Sequence, residues 1–238
     1  MGKKAIVVGA SSGIGKAITL GLLKKGYTVG ITGRRSELLQ AIEKSNPGYI
    51  HSSSFDCTDS NATNHLDMLI EQLGGLDLFI LSAGTGELNP DLVPHLEADT
   101  NTLNVTAFTK LVLWAYKKFE TQGSGHLVGI TSIAGMRGSA IAPSYNASKA
   151  YQINYLEGLR QKAQKQKHRI SVTDVRPGFV DTNMAKGDGK FWVAQPDKAA
   201  AQILNAVMAK KDKVYITKRW RIIGIILKIL PTWLYKKL

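Results

Sequence analysis

The chain has 238 residues, 44% apolar and 21% charged, an ordinary globular mix long enough for a large core in one domain. One cysteine, Cys57, excludes an internal disulfide and fits a reducing compartment, and five scattered histidines give no metal-ligand spacing. A formal net charge of +13 points to an anionic partner, which leaves a phosphorylated cofactor, nucleic acid or an anionic membrane surface.

No secretory signal is visible at the start, since the apolar stretch after Lys3-Lys4 ends at Gly9. Lys4 to Val8 is a short β-branched run that reads as a strand buried on both faces. It enters Gly9-Ala10-Ser11-Ser12-Gly13-Ile14-Gly15, and a helical pattern follows from Lys16 to Lys25. Strand, glycine turn and helix in this order set a pyrophosphate on a helix N-terminus. Gly9 permits the tight turn, Gly13 lets backbone approach phosphate, and Gly15 lets the helix close on the strand.

Tyr27 to Thr32 reads as a second strand, ending in Gly33-Arg34-Arg35. The residue at this end meets the adenosine ribose, where an acid suits a free 2′-hydroxyl and an arginine suits a 2′-phosphate. Arg34 can fork two hydrogen bonds to phosphate, which predicts NADP(H) rather than NAD. Tyr49 to Phe55 is a third strand, followed by Asp56-Cys57 at the position of an adenine-edge contact or, alternatively, of a helix N-cap or an Asx-turn. A helix is expected over Ala62 to Leu73 and a fourth strand over Leu76 to Leu81, with Ser82-Ala83-Gly84 leaving room for a cofactor.

One long helix is expected from about Leu96 to Glu120, carrying Asn104. Gly125 to Thr131 is a fifth strand closing on Ser132. Pro143 opens a helix that runs to about Gln166, with Tyr145 and Lys149 four apart and therefore on one face. A phenol titrates near 10, and a neighbouring cation lowers that value, so the pair can give a proton to a carbonyl oxygen or take one from an alcohol. Ile170 to Val175 is a sixth strand, ending Arg176-Pro177-Gly178-Phe179-Val180-Asp181-Thr182. A Gly- and Lys-containing loop, a helix over Pro196 to Lys210 and a short strand over Val214 to Thr217 complete the pattern. Alternating strands and helices predict an α/β Rossmann-type doubly wound parallel sheet of about seven strands, helices on both faces, with the site at the strands' carboxyl ends. One catalytic domain is expected over residues 1–217, and a basic, apolar C-terminal tail over 218–238.

These motifs resemble the short-chain dehydrogenase/reductase family over about residues 3 to 217: Gly9-x-x-x-Gly13-Ile14-Gly15, Ser82-Ala83-Gly84, Ser132, Tyr145-x-x-x-Lys149 and Pro177-Gly178-x-Val180-x-Thr182. The resemblance implies Tyr145 as general acid or base and Lys149 as the residue that binds the nicotinamide ribose and lowers the phenol pKa. It implies Ser132 on the substrate oxygen, Asn104 on a water of the proton relay, and Val180 and Thr182 on the carboxamide. Arg34, with Arg35 beside it, would read the 2′-phosphate, and Asp56 with the backbone of Cys57 would hold adenine. Ser82 departs from the family's Asn. The chain also lacks the glycine-rich ending of the bacterial 3-oxoacyl carrier-protein reductases, and its end looks more like members acting on lipids, sterols or ketosphingoid-type carbonyls.

The resemblance thus implies an NADPH-dependent reduction of a ketone or aldehyde to an alcohol by a cytoplasmic homodimer or homotetramer. The alternative is a catalytically silent NADP-binding sensor or scaffold. Nucleic acid is not expected, since no aromatic-interleaved basic patch is present. Residues 218–238 hold six Lys or Arg, no acid, and a run Ile222 to Leu230 flanked by Trp and Tyr. Such a segment suits peripheral contact with a membrane surface, or packing over the substrate pocket or on another subunit, and is too short to span.

Overall fold

The computed structural model describes residues 2–182 and 191–237. Seven parallel strands form one sheet in the order β3-β2-β1-β4-β5-β6-β7. They are β1 (Lys4–Val8), β2 (Thr28–Gly33), β3 (Ile50–Ser54), β4 (Leu78–Leu81), β5 (Ser124–Ile130), β6 (Arg169–Pro177) and β7 (Lys213–Ile216). This is the α/β architecture expected from the alternating pattern. The strand order reverses between β1 and β4, and ligands of such sheets lie at that switch point.

Strand side chains alternate between two cores, and this explains the uninterrupted apolar runs. Ala5 and Val7 of β1 pack under α1 (Gly13–Leu23), α2 (Ser36–Lys44) and α7 (Pro196–Met208), through Ile18, Leu22, Leu39 and Ile203. Ile6 and Val8 pack under α3 (Ala62–Leu73), α5 (Phe108–Gln122) and α6 (Pro143–Lys165), through Leu66, Leu111, Phe119 and Leu156.

Three expectations needed correction. The first helix begins at Gly13, not Lys16, so the glycine turn itself supplies the helix N-terminus. The long helix expected from Leu96 to Glu120 is instead α4 (Pro94–Asn101), a π-helical segment over Thr102–Ala107, and α5. Such π segments interrupt the regular ladder of carbonyl bonds, and here the Asn104 carbonyl accepts from the Gln152 side chain. Leu76 and Asp77 precede β4 rather than belonging to it. The Asp77 carboxylate accepts the backbone N–H of Lys4 at 2.7 Å, tying this approach to the first strand.

The tail forms α8 (Trp220–Ile229) and α9 (Thr232–Tyr235), separated by Pro231. Trp220 and Gly224 of α8 are buried; Gly224 lies close against Ile133 and the Tyr215 ring. In α9 the Tyr235 hydroxyl donates to the Gly138 carbonyl, and its ring lies under the Arg137 guanidinium, 4.4 Å away.

Candidate active site

Pro143 at the first turn starts α6, and the helix buries the face carrying Ser148, Lys149, Gln152 and Leu156. Tyr145 stands on that same side at the helix mouth. β5 ends opposite it, where Ser132 caps a short 3₁₀ turn over Ile133–Met136 and accepts the Ala134 N–H at 3.1 Å. Ser132 also hydrogen-bonds the Tyr145 side chain. Beneath Ser132, Thr131 donates to Asp174 at 2.6 Å and Asp174 pairs with Arg176 at 2.6 Å, both buried. Arg176 also donates to the Tyr215 hydroxyl at 3.0 Å, so the ends of β5, β6 and β7 are fixed together below the site.

Lys149 is buried. Its ammonium donates to the Ile130 carbonyl at 3.3 Å and to Gln152 Oε1 at 3.0 Å, and lies 5.8 Å from the centre of the Tyr145 ring. Burial lowers its pKa from 10.5 to about 8, with Asp174 pulling the other way. The phenol departs from expectation. Burial raises the Tyr145 pKa above its ordinary 10, and the Ser132 bond only partly offsets this. The ammonium is engaged by these two oxygens and stands 5.8 Å from the ring centre. In this state Tyr145 is firmly protonated at neutral pH, as a proton donor must be.

Asn104 is fully buried in the π segment. Its side chain donates to Thr85 O at 2.7 Å and Ser148 Oγ at 3.1 Å and accepts from Thr85 N at 3.0 Å. Its carbonyl accepts from Gln152 Nε2 at 2.8 Å. Gly84 and Gly86 make the remaining room. A Cβ on Gly84 would stand 3.4 Å from Lys149 Nζ, and one on Gly86 would stand 2.8 Å from the Tyr145 ring.

The glycine turn is closed as its residue types demand. Gly9 has φ +86°, and a Cβ there would lie 2.6 Å from Ala83 N; a Cβ on Gly15 would lie 2.1 Å from Gly9 O. Ala83, after Ser82, thus presses directly on the loop. Gly13 has φ +55°, and Thr182 approaches it closely, a Cβ there lying 3.1 Å from the threonine methyl. The N-terminus of α1, from Ser12 through Ile14, has no side-chain cap bond and no acid in its first turn. Its amides and dipole suit an anion. Val180 is buried and bridges Ala194, which sets the Pro177-Gly178 turn and Thr182 beside this loop.

The two arginines divide their work differently from expectation. Arg35 folds over the loop, donating from Nη2 to Ser11 Oγ at 2.7 Å and to Ser12 Oγ at 2.6 Å. Arg34 is exposed, 3.7 Å from the Asp56 carboxylate. Adjacent side chains leaving a strand diverge, so only one can lie against the turn. Asp56 forms the Asx-turn alternative, accepting Thr58 N at 2.9 Å and Thr58 Oγ1 at 2.7 Å. Burial would raise its pKa, but these bonds and Arg34 leave it lowered. Cys57 is buried and its thiol is pushed up to about 11 by burial, which leaves it inert. Glycine turn, uncapped helix start, two guanidiniums and a buried ammonium together fit a nicotinamide dinucleotide. Among the described residues no cluster is suited to a metal ion.

The sequence reading missed Gln152, Gly86 and the Asp174–Arg176 pair. Gln152 carried a signal: it lies three residues after Lys149, polar on the face of a helix that must be buried. Of the Gly- and Lys-containing loop expected after Thr182, residues 183–190 lie outside the described residues. A groove of about 340 Å³ is lined by Met136, Arg137, Gly138, Asn146 and Ala147.

A family model described as short chain dehydrogenase matches residues 3–191. An uncharacterized oxidoreductase of Myxococcus xanthus is 35% identical over 191 residues, covering 76% of this chain and 74% of that one. Another, of Staphylococcus haemolyticus, is 32% identical over 192 residues, covering 78% and 81%. A solved short-chain dehydrogenase from Streptomyces avermitilis superposes with a TM-score of 0.83 at 25% identity, covering 96% and 92%. A crystal structure of an actinorhodin polyketide ketoreductase variant with NADPH gives a TM-score of 0.81 at 22% identity, covering 90% and 95%, a likeness of fold. With the sheet order, the glycine turn and the Ser132–Tyr145–Lys149 cluster all in place, this chain belongs to the short-chain dehydrogenase family of oxidoreductases, which use a nicotinamide cofactor.

Proposed function

We propose that the protein is an NADPH-dependent carbonyl reductase. The observation that carries this reading is the buried cluster in which Ser132 bonds the Tyr145 phenol while Lys149 is held behind it. Bound NADPH would supply the hydride to the carbonyl carbon. Ser132 and Tyr145 converge on the carbonyl oxygen, and Tyr145 gives it the phenolic proton. Lys149 places a positive charge beside the phenolate that results and a donor toward the nicotinamide ribose. Val180 and Thr182 border the carboxamide, and Pro177-Gly178 holds that turn. Arg35, anchored on Ser11 and Ser12, and the exposed Arg34 meet the 2′-phosphate, which supports NADP(H) over NAD. The direction in cells is then reduction, and the substrate is a ketone or aldehyde of lipid-like character.

The protein acts in the cytoplasm as a homodimer or homotetramer. A silent NADP-binding sensor is the alternative, and the intact set Asn104, Ser132, Tyr145 and Lys149 argues against it. The test is NADPH oxidation across short polar ketones, long-chain 3-oxoacyl compounds and sterols, with Tyr145→Phe as control. The variant should bind NADPH normally and lose nearly all turnover. Tight NADPH binding with no oxidation on any carbonyl would favour the sensor.

A further inference from the structure

α8 carries two apolar stripes. The inner one, Trp220, Ile223, Gly224 and Leu227, is the stripe turned toward the protein. The outer one is Ile222, Ile225, Ile226 and Ile229, which are 61%, 50%, 45% and 74% exposed. These positions are spaced i, i+3, i+4 and i+7, so they form one continuous face on the opposite side of the helix. Trp233 of α9, 67% exposed, adds to it. Single exposed apolar side chains are ordinary, but a full outer stripe on an amphipathic helix marks an interaction surface.

Charge identifies the occupant. Residues 218–238 hold Lys218, Arg219, Arg221, Lys228, Lys236 and Lys237 and no acid. Arg221 and Lys228 are seven apart and flank the outer stripe on one side, where long basic side chains reach lipid headgroups. The Arg219 guanidinium lies 5.7 Å over the Trp192 ring and the Lys237 ammonium 6.0 Å over Trp233. A second copy seated on this stripe would bring the same cations against these, with no acid on either side to pair them. Among the described residues no helix is long and apolar enough to cross a membrane.

We propose that α8 and α9 form a docking face for an anionic lipid surface, lying in its plane with Ile222, Ile225, Ile226, Ile229 and Trp233 inserted. This face is joined rigidly to the site. Trp220 packs so closely on Gly178 that a Cβ there would lie 2.1 Å from the indole, and its ring meets those of Phe179, Phe191 and Trp192. Phe191, Trp192 and Val193, beside the Val180 bridge, are nearly half exposed. Docking therefore sets the rim of the site against the lipid, and the substrate is a carbonyl carried in the membrane. This last step rests on the reductase reading.

The test is co-flotation of the full chain with vesicles of mixed phosphatidylcholine and phosphatidylglycerol, and of phosphatidylcholine alone. Binding is expected to the mixed vesicles, weakening with salt. Lys228→Glu should weaken it roughly tenfold. Ile225→Glu/Ile229→Glu, at exposed positions that leave the fold intact, should abolish it while keeping turnover of a short water-soluble ketone. No flotation with either vesicle, or flotation unchanged in the double variant, overturns the docking face. So does a dimer that the double variant converts to monomer without any vesicle binding by the wild type. A long-chain 3-oxoacyl ester dissolved in the mixed vesicles then tests the substrate. It should be reduced faster by the wild type than by the double variant. Equal rates, with soluble-ketone turnover intact, would refute the membrane-borne substrate and leave the reductase reading standing.

Discussion

The side-chain amide of Gln152 stands between Lys149 and Asn104, accepting from the ammonium at 3.0 Å and donating to the Asn104 carbonyl at 2.8 Å. It is almost wholly buried. Gln152 thus positions Lys149 and stabilises its charged form, since a hydrogen bond to a charged group contributes about 1.5–3 kcal/mol. Around the ammonium, Tyr145 on its own helix and Asp174 on β6 are the titratable groups, and the π segment Thr102–Ala107 brings none.

Gln152→Leu should move the pH profile. The Lys149 pKa already lies at about 8, lowered by burial. Losing an acceptor lowers it further, so the charged ammonium disappears at a lower pH. The alkaline limb of kcat/KM is expected about one pH unit lower, while Gln152→Glu moves it upward. Profiles that superpose in all three proteins would leave Gln152 a packing residue only.

Lys149→Met should reveal the stability cost of the buried cation. A pKa lowered from 10.5 to about 8 corresponds to about 3 kcal/mol against the charged form in the fold. The unfolded chain binds the extra proton between those values, so this penalty is full below pH 8 and disappears as pH rises through 10.5. Met removes it but leaves the Gln152 amide oxygen without a donor, an offset of about 1–3 kcal/mol. The variant should melt no lower than the wild type at pH 7, and its relative stability should decline toward pH 10. A variant far less stable at pH 7 with no pH trend would mean that the ammonium holds the fold together.

Most of the sheet was legible because its strands are apolar on both faces and bounded by glycine. Tyr145 and Lys149 were legible because four-residue spacing on a helix dictates a shared face. Three features were not. The π segment depends on where Gln152, 48 residues away, reaches the Asn104 carbonyl. The division between Arg34 and Arg35 depends on which side chain leaves the strand toward Ser11. Asp56 had more than one open role, and the turn it makes depends on Thr58 standing within reach of its carboxylate.

The arginines make that division measurable. Arg35→Ala removes the guanidinium that lies on Ser11 and Ser12, while Arg34 is exposed and shared with Asp56. In fluorescence titration Arg35→Ala should weaken NADPH at least tenfold and NADH little, with Arg34→Ala a smaller step in the same direction. Equal losses for both nucleotides would mean that Arg35 shapes the loop and does not read the 2′-phosphate.

Gly86→Ala tests whether the phenol must sit where the structure places it. The added Cβ would lie 2.8 Å from both Cδ2 and Cε2 of Tyr145, a distance that side chains do not tolerate. The ring must turn or the loop after β4 must shift, and either breaks the Ser132 bond. Proton delivery depends on sub-ångström placement, so kcat should fall about a hundredfold. The glycine turn lies elsewhere, so NADPH binding should hold within a factor of a few. Gly138→Ala, in open space on the other loop of the site, serves as the control and should leave both quantities unchanged. If Gly86→Ala keeps full kcat, the loop accommodates the methyl and the phenol's position is not set by Gly86.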